Sequence, residues 1–172
     1  MYKNGFSIIT VTNLDYCIEN MINNFLRQEF NDKELIIVIN NDKINIEYIY
    51  KYINKELNIF VYKLPEKTAL GTCLNFGVNK SNYNIIAKFD DDDYYGPYYL
   101  DEANKAFLRE GCYVLGKQKT YYYLEQYKKL ILNNKIANFY NINFIIKISH
   151  FDCHKFCIIW SYKKHMRYKT LF

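Results

Sequence analysis

Four consecutive aspartates at residues 90–93 are the part of this sequence that most clearly indicates chemistry. They directly follow an apolar, strand-like run at residues 85–89. Like charges a few ångströms apart repel one another, and each carboxylate loses hydration if the site is enclosed. A divalent cation among the oxygens would offset both effects, whereas a solvated acidic turn would need no metal. Because ligands of open α/β sheets bind beyond the carboxyl ends of the strands, we favour the metal site.

The spacing of these aspartates suits a metal that also binds phosphate. Asp90 and Asp92 lie two residues apart, so on an extended segment their side chains point to the same side. Hard oxygen ligands suit Mg²⁺ or Mn²⁺, which bind one or two carboxylates together with water and substrate phosphate oxygens. The pattern predicts group transfer from a nucleotide-diphosphate donor. A calcium-binding loop counted from Asp90 does not fit, because its sixth position needs glycine and holds Tyr95.

The elements that must hold the aspartates alternate along the first part of the chain. Apolar, β-branched runs predict strands at residues 6–12, 35–39, 59–64 and 85–89, with amphipathic helical spacing between them. This alternation predicts an α/β fold with a mostly parallel sheet and helices on both faces. Strands one, two and four should be adjacent and parallel, with Thr12, Asn41 and Asp90 around one crevice. Seven residues should be buried: Ile8, Ile18, Met21, Phe25, Val38, Leu74 and Ile86.

Length and composition indicate one globular domain with an appendage. The chain has 172 residues, 50% of them hydrophobic, and no apolar run near the roughly 18–20 residues that span a membrane. Its five cysteines have no secretory context, so we expect a soluble cytoplasmic protein.

The composition changes near Leu132. Residues 1–132 carry 16 Lys/Arg and 17 Asp/Glu, whereas residues 133–172 carry seven Lys/Arg and one acid, Asp152. All six glycines and both prolines precede Lys117. We therefore expect a domain at 1–132 and a basic tail at 133–172 of truncated or frame-shifted origin.

Several segments together resemble a known family. Residues 6–12, the strand end at 34–41, the pattern Gly71-x-x-x-Asn75-x-Gly77 and residues 86–100 are similar to the N-terminal half of a family 2 glycosyltransferase of the GT-A superfamily. The resemblance implies a GT-A, Rossmann-like fold with an incomplete C-terminal part. It also implies a nucleotide-diphosphate sugar donor, Mn²⁺ or Mg²⁺, and inverting transfer to a glycan, lipid or protein acceptor, as in bacterial cell-envelope polysaccharide synthesis. Such a protein would work in the cytoplasm, at the inner face of the membrane if it associates peripherally.

The same resemblance assigns roles by position. Asp90 and Asp92 match the Asp-x-Asp pair and are assigned to the metal. The donor-binding positions are Thr12, Asn41, Asn75, Asp90 and Asp91. No catalytic residue is assigned, because the acceptor half of the family with its late acidic base is not recognisable after Leu132.

Two alternatives concern the tail and the competence of the chain. The first is a remnant that binds nucleotide and metal but lacks the acceptor half and does not catalyse transfer. The second is an anion-binding protein acting through its basic tail, although no nucleic-acid-binding module is present and we expect no nucleic acid partner. His150, Cys153, His154 and Cys157 also lie in the tail, but their spacing matches no standard zinc site.

Overall fold

The computed structural model describes residues 3–50, 53, 58–110, 115–117, 120–124, 127–133 and 158–161. Strands and helices alternate through its first part, as the sequence predicts. The elements in chain order are β1 (Lys3–Thr12), α1 (Ile18–Arg27), β2 (Lys33–Ile39), α2 (Ile46–Tyr50), β3 (Ile59–Lys63), α3 (Leu70–Asn79), β4 (Tyr83–Lys88), α4 (Tyr99–Glu110), β5 (Leu115–Lys117), β6 (Thr120–Leu124), β7 (Lys129–Asn133) and β8 (Ile158–Ser161).

The central sheet has six strands in the order β3-β2-β1-β4-β8-β5. Every neighbouring pair in this sheet is parallel. Strands β1, β2 and β4 are therefore adjacent and parallel, and the predicted mostly parallel α/β fold is confirmed. Since parallel strands point the same way, their carboxyl ends lie along one edge of the sheet.

The two faces of the sheet bury different side chains. Alternation along the strands sends one set of side chains, including Ile8 and Ile37, into a core with α1, α2 and α4. The other set, including Ile9 and Val38, packs with Cys73 of α3. Strands covered on both faces read as continuous apolar runs, which is why β2 is so clear in the sequence.

Six of the seven residues expected in the core are buried: Ile8, Ile18, Met21, Phe25, Val38 and Ile86. The expectation for Leu74 is wrong, because this side chain is only partly buried at the margin of the core beneath α3. Helix α3 approaches the sheet through Cys73 and Gly77 instead. Of the helices in the described ranges, none has the length and apolar character needed to cross a membrane.

Part of the basic tail belongs to the sheet. Strand β8 lies between β4 and β5, with Ile158 beside Ile86 and Ile159 beside Leu115. Most of residues 133–172 lies outside the described residues, so the boundary at Leu132 stays a prediction. Strands β6 and β7 pair with each other in antiparallel fashion and form a separate two-stranded sheet.

A buried carboxylate ties the strands together at the edge opposite their carboxyl ends. The Glu34 side chain is 2% exposed and accepts hydrogen bonds from the Ser7 hydroxyl, the Asn82 backbone N–H and the Asn82 amide at 2.5, 2.6 and 2.8 Å. A buried carboxylate with three donors is well satisfied. The amino ends of β1, β2 and β4 are therefore tied together by a buried acid whose carboxylate oxygens both accept hydrogen bonds.

Replacing Gly77 with alanine should destabilise the protein, whereas the same change at Gly71 should not. A Cβ atom at Gly77 would lie 2.6 Å from Cγ2 of the buried Ile9, while one at Gly71 would meet no atom within 4 Å. We expect Gly77→Ala to lower the free energy of unfolding by roughly 1–3 kcal/mol. Gly71→Ala should leave it unchanged or raise it by up to about 1 kcal/mol. Urea unfolding of both variants measures this, and equal stabilities would contradict the close approach of α3 to β1.

Candidate functional site

The carboxyl ends of β1, β2 and β4 bring the predicted polar residues to one edge of the sheet. Thr12 pairs in register with Ile39, and the backbone N–H of Asn40 donates to the Thr12 carbonyl at 3.0 Å. On the other side of β1, the Phe89 N–H donates to the Ile9 carbonyl at 3.0 Å. The aspartates that follow Phe89 therefore emerge beside Thr12. We call residues 90–96 the acidic loop.

The four carboxylates of the acidic loop have four different surroundings. Asp90 pairs with the ammonium group of Lys88. Asp91 accepts a hydrogen bond from the Thr12 hydroxyl at 2.6 Å. Asp92 is exposed to solvent, whereas Asp93 is 3% exposed. Separate surroundings reduce the mutual repulsion of the run, and they leave Asp92 the most open of the four.

The Thr12 side chain contacts the acidic loop through Asp91. Its side chain is buried, and its hydroxyl oxygen also accepts the Leu14 N–H at 3.0 Å. The hydroxyl oxygen lies 2.6 Å from the Asp91 carboxylate and 3.1 Å from the Leu14 carbonyl, so the carboxylate is the nearer acceptor. Thr12 therefore contacts Asp91, and the resemblance assigns both positions to the donor.

Asn41 joins the loops that follow β1 and β2. Its amide N–H donates to the Asn13 carbonyl at 2.8 Å, and its amide oxygen accepts the Lys43 N–H at 2.8 Å. An amide has a second N–H and a second lone pair, so Asn41 keeps the capacity to bind a ligand.

Asn75 lies on the second turn of α3. Within the described part of the chain, no hydrogen bond joins it to Thr12, Asn41 or the acidic loop. The link between α3 and the site is made before the helix begins, where the Asn40 amide lies 3.4 Å from the Thr68 carbonyl.

Two amide side chains of α1, and that of Gln28 just after its last residue, bind the backbone of the acidic loop. The Asn20 amide donates to the carbonyls of Asp91 and Asp93 at 2.7 and 2.9 Å. The Asn24 amide donates to the Asp93 carbonyl at 2.8 Å and accepts the Tyr95 N–H at 3.0 Å. The Gln28 amide donates to the Gly96 carbonyl at 2.9 Å and accepts the Leu100 N–H at 3.2 Å. We call Asn20, Asn24 and Gln28 the amide row.

Sequence reasoning missed the amide row, although a signal for it is present. Its members are spaced four residues apart, so they lie on one side of the helix beside the apolar stripe. Asn24 and Gln28 are 1% and 3% exposed, which is unusual for polar side chains unless they are hydrogen-bonded. A polar stripe at helical spacing next to the buried stripe is the pattern that could have revealed them.

An aromatic cluster supports the acidic loop from inside the domain. The Tyr95 ring stacks on Phe89 with ring centres 3.7 Å apart, and Tyr99 meets both rings edge-on. The Tyr95 hydroxyl accepts the Asp90 N–H at 2.8 Å. Burial raises the pKa of the Tyr95 hydroxyl above its ordinary value, so this group stays neutral beside the aspartates.

Basic side chains flank the acidic loop without neutralising all of it. The Arg27 guanidinium lies 4.3 Å from the centre of the exposed Tyr94 ring and donates to the Asn24 amide oxygen at 2.8 Å. Lys88 is paired with Asp90. In the part of the chain that the structure describes, no three His, Cys, Asp or Glu side chains are grouped as metal ligands. Asp90 and Asp92 nevertheless offer the hard oxygen donors that Mg²⁺ and Mn²⁺ prefer, with substrate phosphates able to complete the coordination.

Comparison with known proteins identifies the family. The sequence profile of glycosyl transferase family 2 matches residues 7–165. The chain belongs to glycosyl transferase family 2. The match confirms the resemblance carried by the strand ends and the acidic loop, and it extends beyond Leu132 into the basic tail.

One curated relative of this family 2 chain is the O-antigen biosynthesis glycosyltransferase WbnJ of Escherichia coli. The two are 31% identical over 111 residues, which are 63% of this chain and 43% of WbnJ. This chain therefore matches less than half the length of that relative.

Solved structures of TarS from S. aureus share the fold. A structure of TarS 1-349 in complex with UDP-GlcNAc has a TM-score of 0.59 at 22% identity, covering 66% of this chain and 34% of TarS 1-349. Another structure of TarS 1-349 has a TM-score of 0.58 at 24% identity, covering 66% of this chain and 35% of that one. The predicted GT-A fold is confirmed for the part of the chain that these structures cover.

Replacing Tyr95 with phenylalanine should destabilise the protein in a pH-dependent way. At neutral pH the Asp90 N–H loses its buried acceptor, which should lower the free energy of unfolding by about 1 kcal/mol. The raised pKa of folded Tyr95 adds stability that is fully present below the unfolded pKa of about 10 and is lost as pH rises above it. The difference between wild type and Tyr95→Phe should therefore shrink between pH about 8 and about 10.5 in urea unfolding. The exposed Tyr16→Phe is the control, and a difference independent of pH would contradict this role for the hydroxyl.

Proposed function

We propose that the acidic loop is the donor site of a glycosyltransferase that binds a nucleotide-diphosphate sugar. The observation that carries the proposal is the meeting of the ends of β1, β2 and β4 at a fixed run of aspartates, in a chain of glycosyl transferase family 2. The UDP-GlcNAc complex of TarS supports a uridine nucleotide as the first ligand to test.

Asp90 and Asp92 would hold Mn²⁺ or Mg²⁺, and Asp91 with Thr12 would support the donor. The metal would supply positive charge against the diphosphate leaving group. Lys88 already places an ammonium group beside Asp90, so this side chain balances part of the negative charge before any ligand binds. Asn41 would contact the nucleotide with the amide N–H and lone pair that its two loop contacts leave available. Asn75 would contribute only if the donor extends along α3.

The reaction we propose is transfer of the sugar, with inversion, to a glycan, lipid or protein acceptor. The named role of WbnJ in O-antigen biosynthesis supports a cell-envelope polysaccharide as the product class. We propose that the protein acts in the cytoplasm, where its basic residues 133–172 would favour the anionic inner face of the membrane.

A second candidate function is donor binding without transfer. Inverting transfer needs a general base within hydrogen-bond reach of the acceptor hydroxyl. Asp101 lies in the first turn of α4 and pairs with Lys105 at 2.7 Å, so it is engaged one turn along its own helix. Two other acids that could serve as the base, Glu125 and Asp152, lie outside the described residues. The pairing of Asp101 is the observation that favours this second candidate.

Mn²⁺ together with UDP should raise the thermal stability of the protein, and substitutions in the acidic loop should reduce this effect. A ligand at about 100 times its Kd stabilises the folded state by roughly 2.7 kcal/mol. Asp92→Asn should abolish most of the stabilisation, because Asp92 is the most exposed carboxylate of the loop. Asp90→Asn should weaken it less, because Asp90 shares its charge with Lys88.

The matched control is Asp32→Asn, which removes the same charge from an exposed residue just before β2, at the opposite edge of the sheet. Thermal shift and titration calorimetry with Mn²⁺ and UDP measure the effect. Unchanged nucleotide affinity in both loop variants would show that the acidic loop is a solvated turn.

Acceptor-dependent transfer by this chain should be absent or very low. A positioned general base contributes a factor of about 10²–10⁴ in rate. Asp101, the candidate base among the described residues, is paired with Lys105. Slow hydrolysis of the donor should remain, because water needs no acceptor site. The assay incubates the purified protein with Mn²⁺, a panel of nucleotide sugars and candidate acceptors. Efficient transfer would reject the second candidate function.

A further inference from the structure

The acidic loop has no regular backbone pairing of its own. Residues 90–96 are neither helix nor strand, so their carbonyl groups need partners from elsewhere. The amide row supplies partners from α1 and from Gln28 just after it, binding the carbonyls of Asp91, Asp93 and Gly96. The shape of the loop therefore depends on side chains that lie about seventy residues earlier in the chain.

The Asn24 side chain makes the hydrogen bonds that a neighbouring strand would make. It donates to the Asp93 carbonyl and accepts the Tyr95 N–H, which is the two-way pairing that a strand would offer to residues two apart. Because Asn24 is 1% exposed, water cannot substitute for either bond. Asn24 thus fixes the backbone between Asp93 and Tyr95.

Asn20 holds the backbone on both sides of Asp92, the most exposed aspartate of the loop. Its amide binds the carbonyls of Asp91 and Asp93, the residues on either side of Asp92. A bridge across one residue fixes the backbone on both sides of it, and with it the direction in which the Asp92 side chain leaves the loop. The carboxylate itself stays free to meet solvent.

The chemistry of the amide row suits a site that must keep its negative charge. An amide donor satisfies a carbonyl without carrying a net charge, whereas a lysine or arginine in the same place would weaken the field of the aspartates. Arg27, the cation on the same helix, is directed at the Tyr94 ring and the Tyr95 carbonyl.

We infer that Asn20, Asn24 and Gln28 are positioning residues, which hold the acidic loop in the geometry that binds a divalent cation and a nucleoside diphosphate. This inference rests on the proposed donor site. It adds that the affinity of the loop for metal and nucleotide depends on the uncharged amide row, whose side chains contact neither ligand.

The test compares Asn20→Ala with Asn23→Ala. Both change asparagine to alanine on α1, but Asn23 is exposed and Asn20 binds the loop. We expect Asn20→Ala to weaken Mn²⁺-dependent binding of UDP roughly tenfold. The reason is that the hydrogen bonds of the Asn20 amide to the Asp91 and Asp93 carbonyls, which hold the backbone around Asp92, are lost. Asn23→Ala should bind as wild type does. Asn20→Gln, which keeps the amide on a longer side chain, should recover part of the affinity.

A second measurement needs no ligand. Hydrogen–deuterium exchange of a peptide covering residues 90–96 should be faster in Asn20→Ala and Asn24→Ala than in wild type and Asn23→Ala, with exchange in β1 and β2 unchanged. Asn20 is only half-buried, so its variant should fold even where Asn24→Ala does not.

The outcomes separate the inference from the proposed function. Unchanged exchange in the loop of Asn20→Ala would overturn the inference, and so would faster exchange with unchanged UDP affinity. If wild type binds no UDP in the presence of Mn²⁺, the proposed donor site fails. The exchange measurement then decides alone whether the amide row positions the loop.

Discussion

Mutual repulsion among four adjacent carboxylates is the constraint on which the rest of this site depends. A run of aspartates at the end of a buried strand tends to splay apart, and a metal site needs the opposite, a fixed set of oxygens. The structure resolves this conflict by holding the backbone of the acidic loop with uncharged amides. Glu34, at the other edge of the sheet, differs from the exposed Asp92 because donors bind both of its carboxylate oxygens. That arrangement stabilises a fold but leaves no oxygen for a ligand.

The fold could be predicted from the sequence because its strongest signals are local. The apolar runs of β1, β2 and β4 are buried on both faces, and the helical spacing in α1 is regular, so period and length identify the elements. Leu74 was misplaced because helical spacing does not show how closely a helix approaches the sheet. That distance is set by Gly77, whose missing side chain lets α3 contact Ile9.

The candidate site could be predicted only where chain order determines position. The placement of Thr12, Asn41 and the acidic loop at one edge of the sheet follows from parallel strand order, and a hydrogen bond joins Thr12 to Asp91 of the loop. The amide row could not be placed, because asparagine and glutamine on a helix are usually solvated and their partners here are carbonyls about seventy residues away. Carbonyl groups are present in every residue, so sequence carries no record of which ones need a partner.

The position of β8 has a consequence for how the chain becomes folded during synthesis. Chains fold from the N-terminal side as they are made, so β1 to β4 can pair before residues 158–161 exist. Until then one side of β4 is an unpaired edge, and β5 lacks the strand that separates it from β4. Joining Ile158 to Ile86 closes a long loop, which slows folding more than it weakens the final sheet. During that interval the open edge of β4 is a template for pairing with other nascent chains, so the yield of native protein should depend on how quickly β8 arrives.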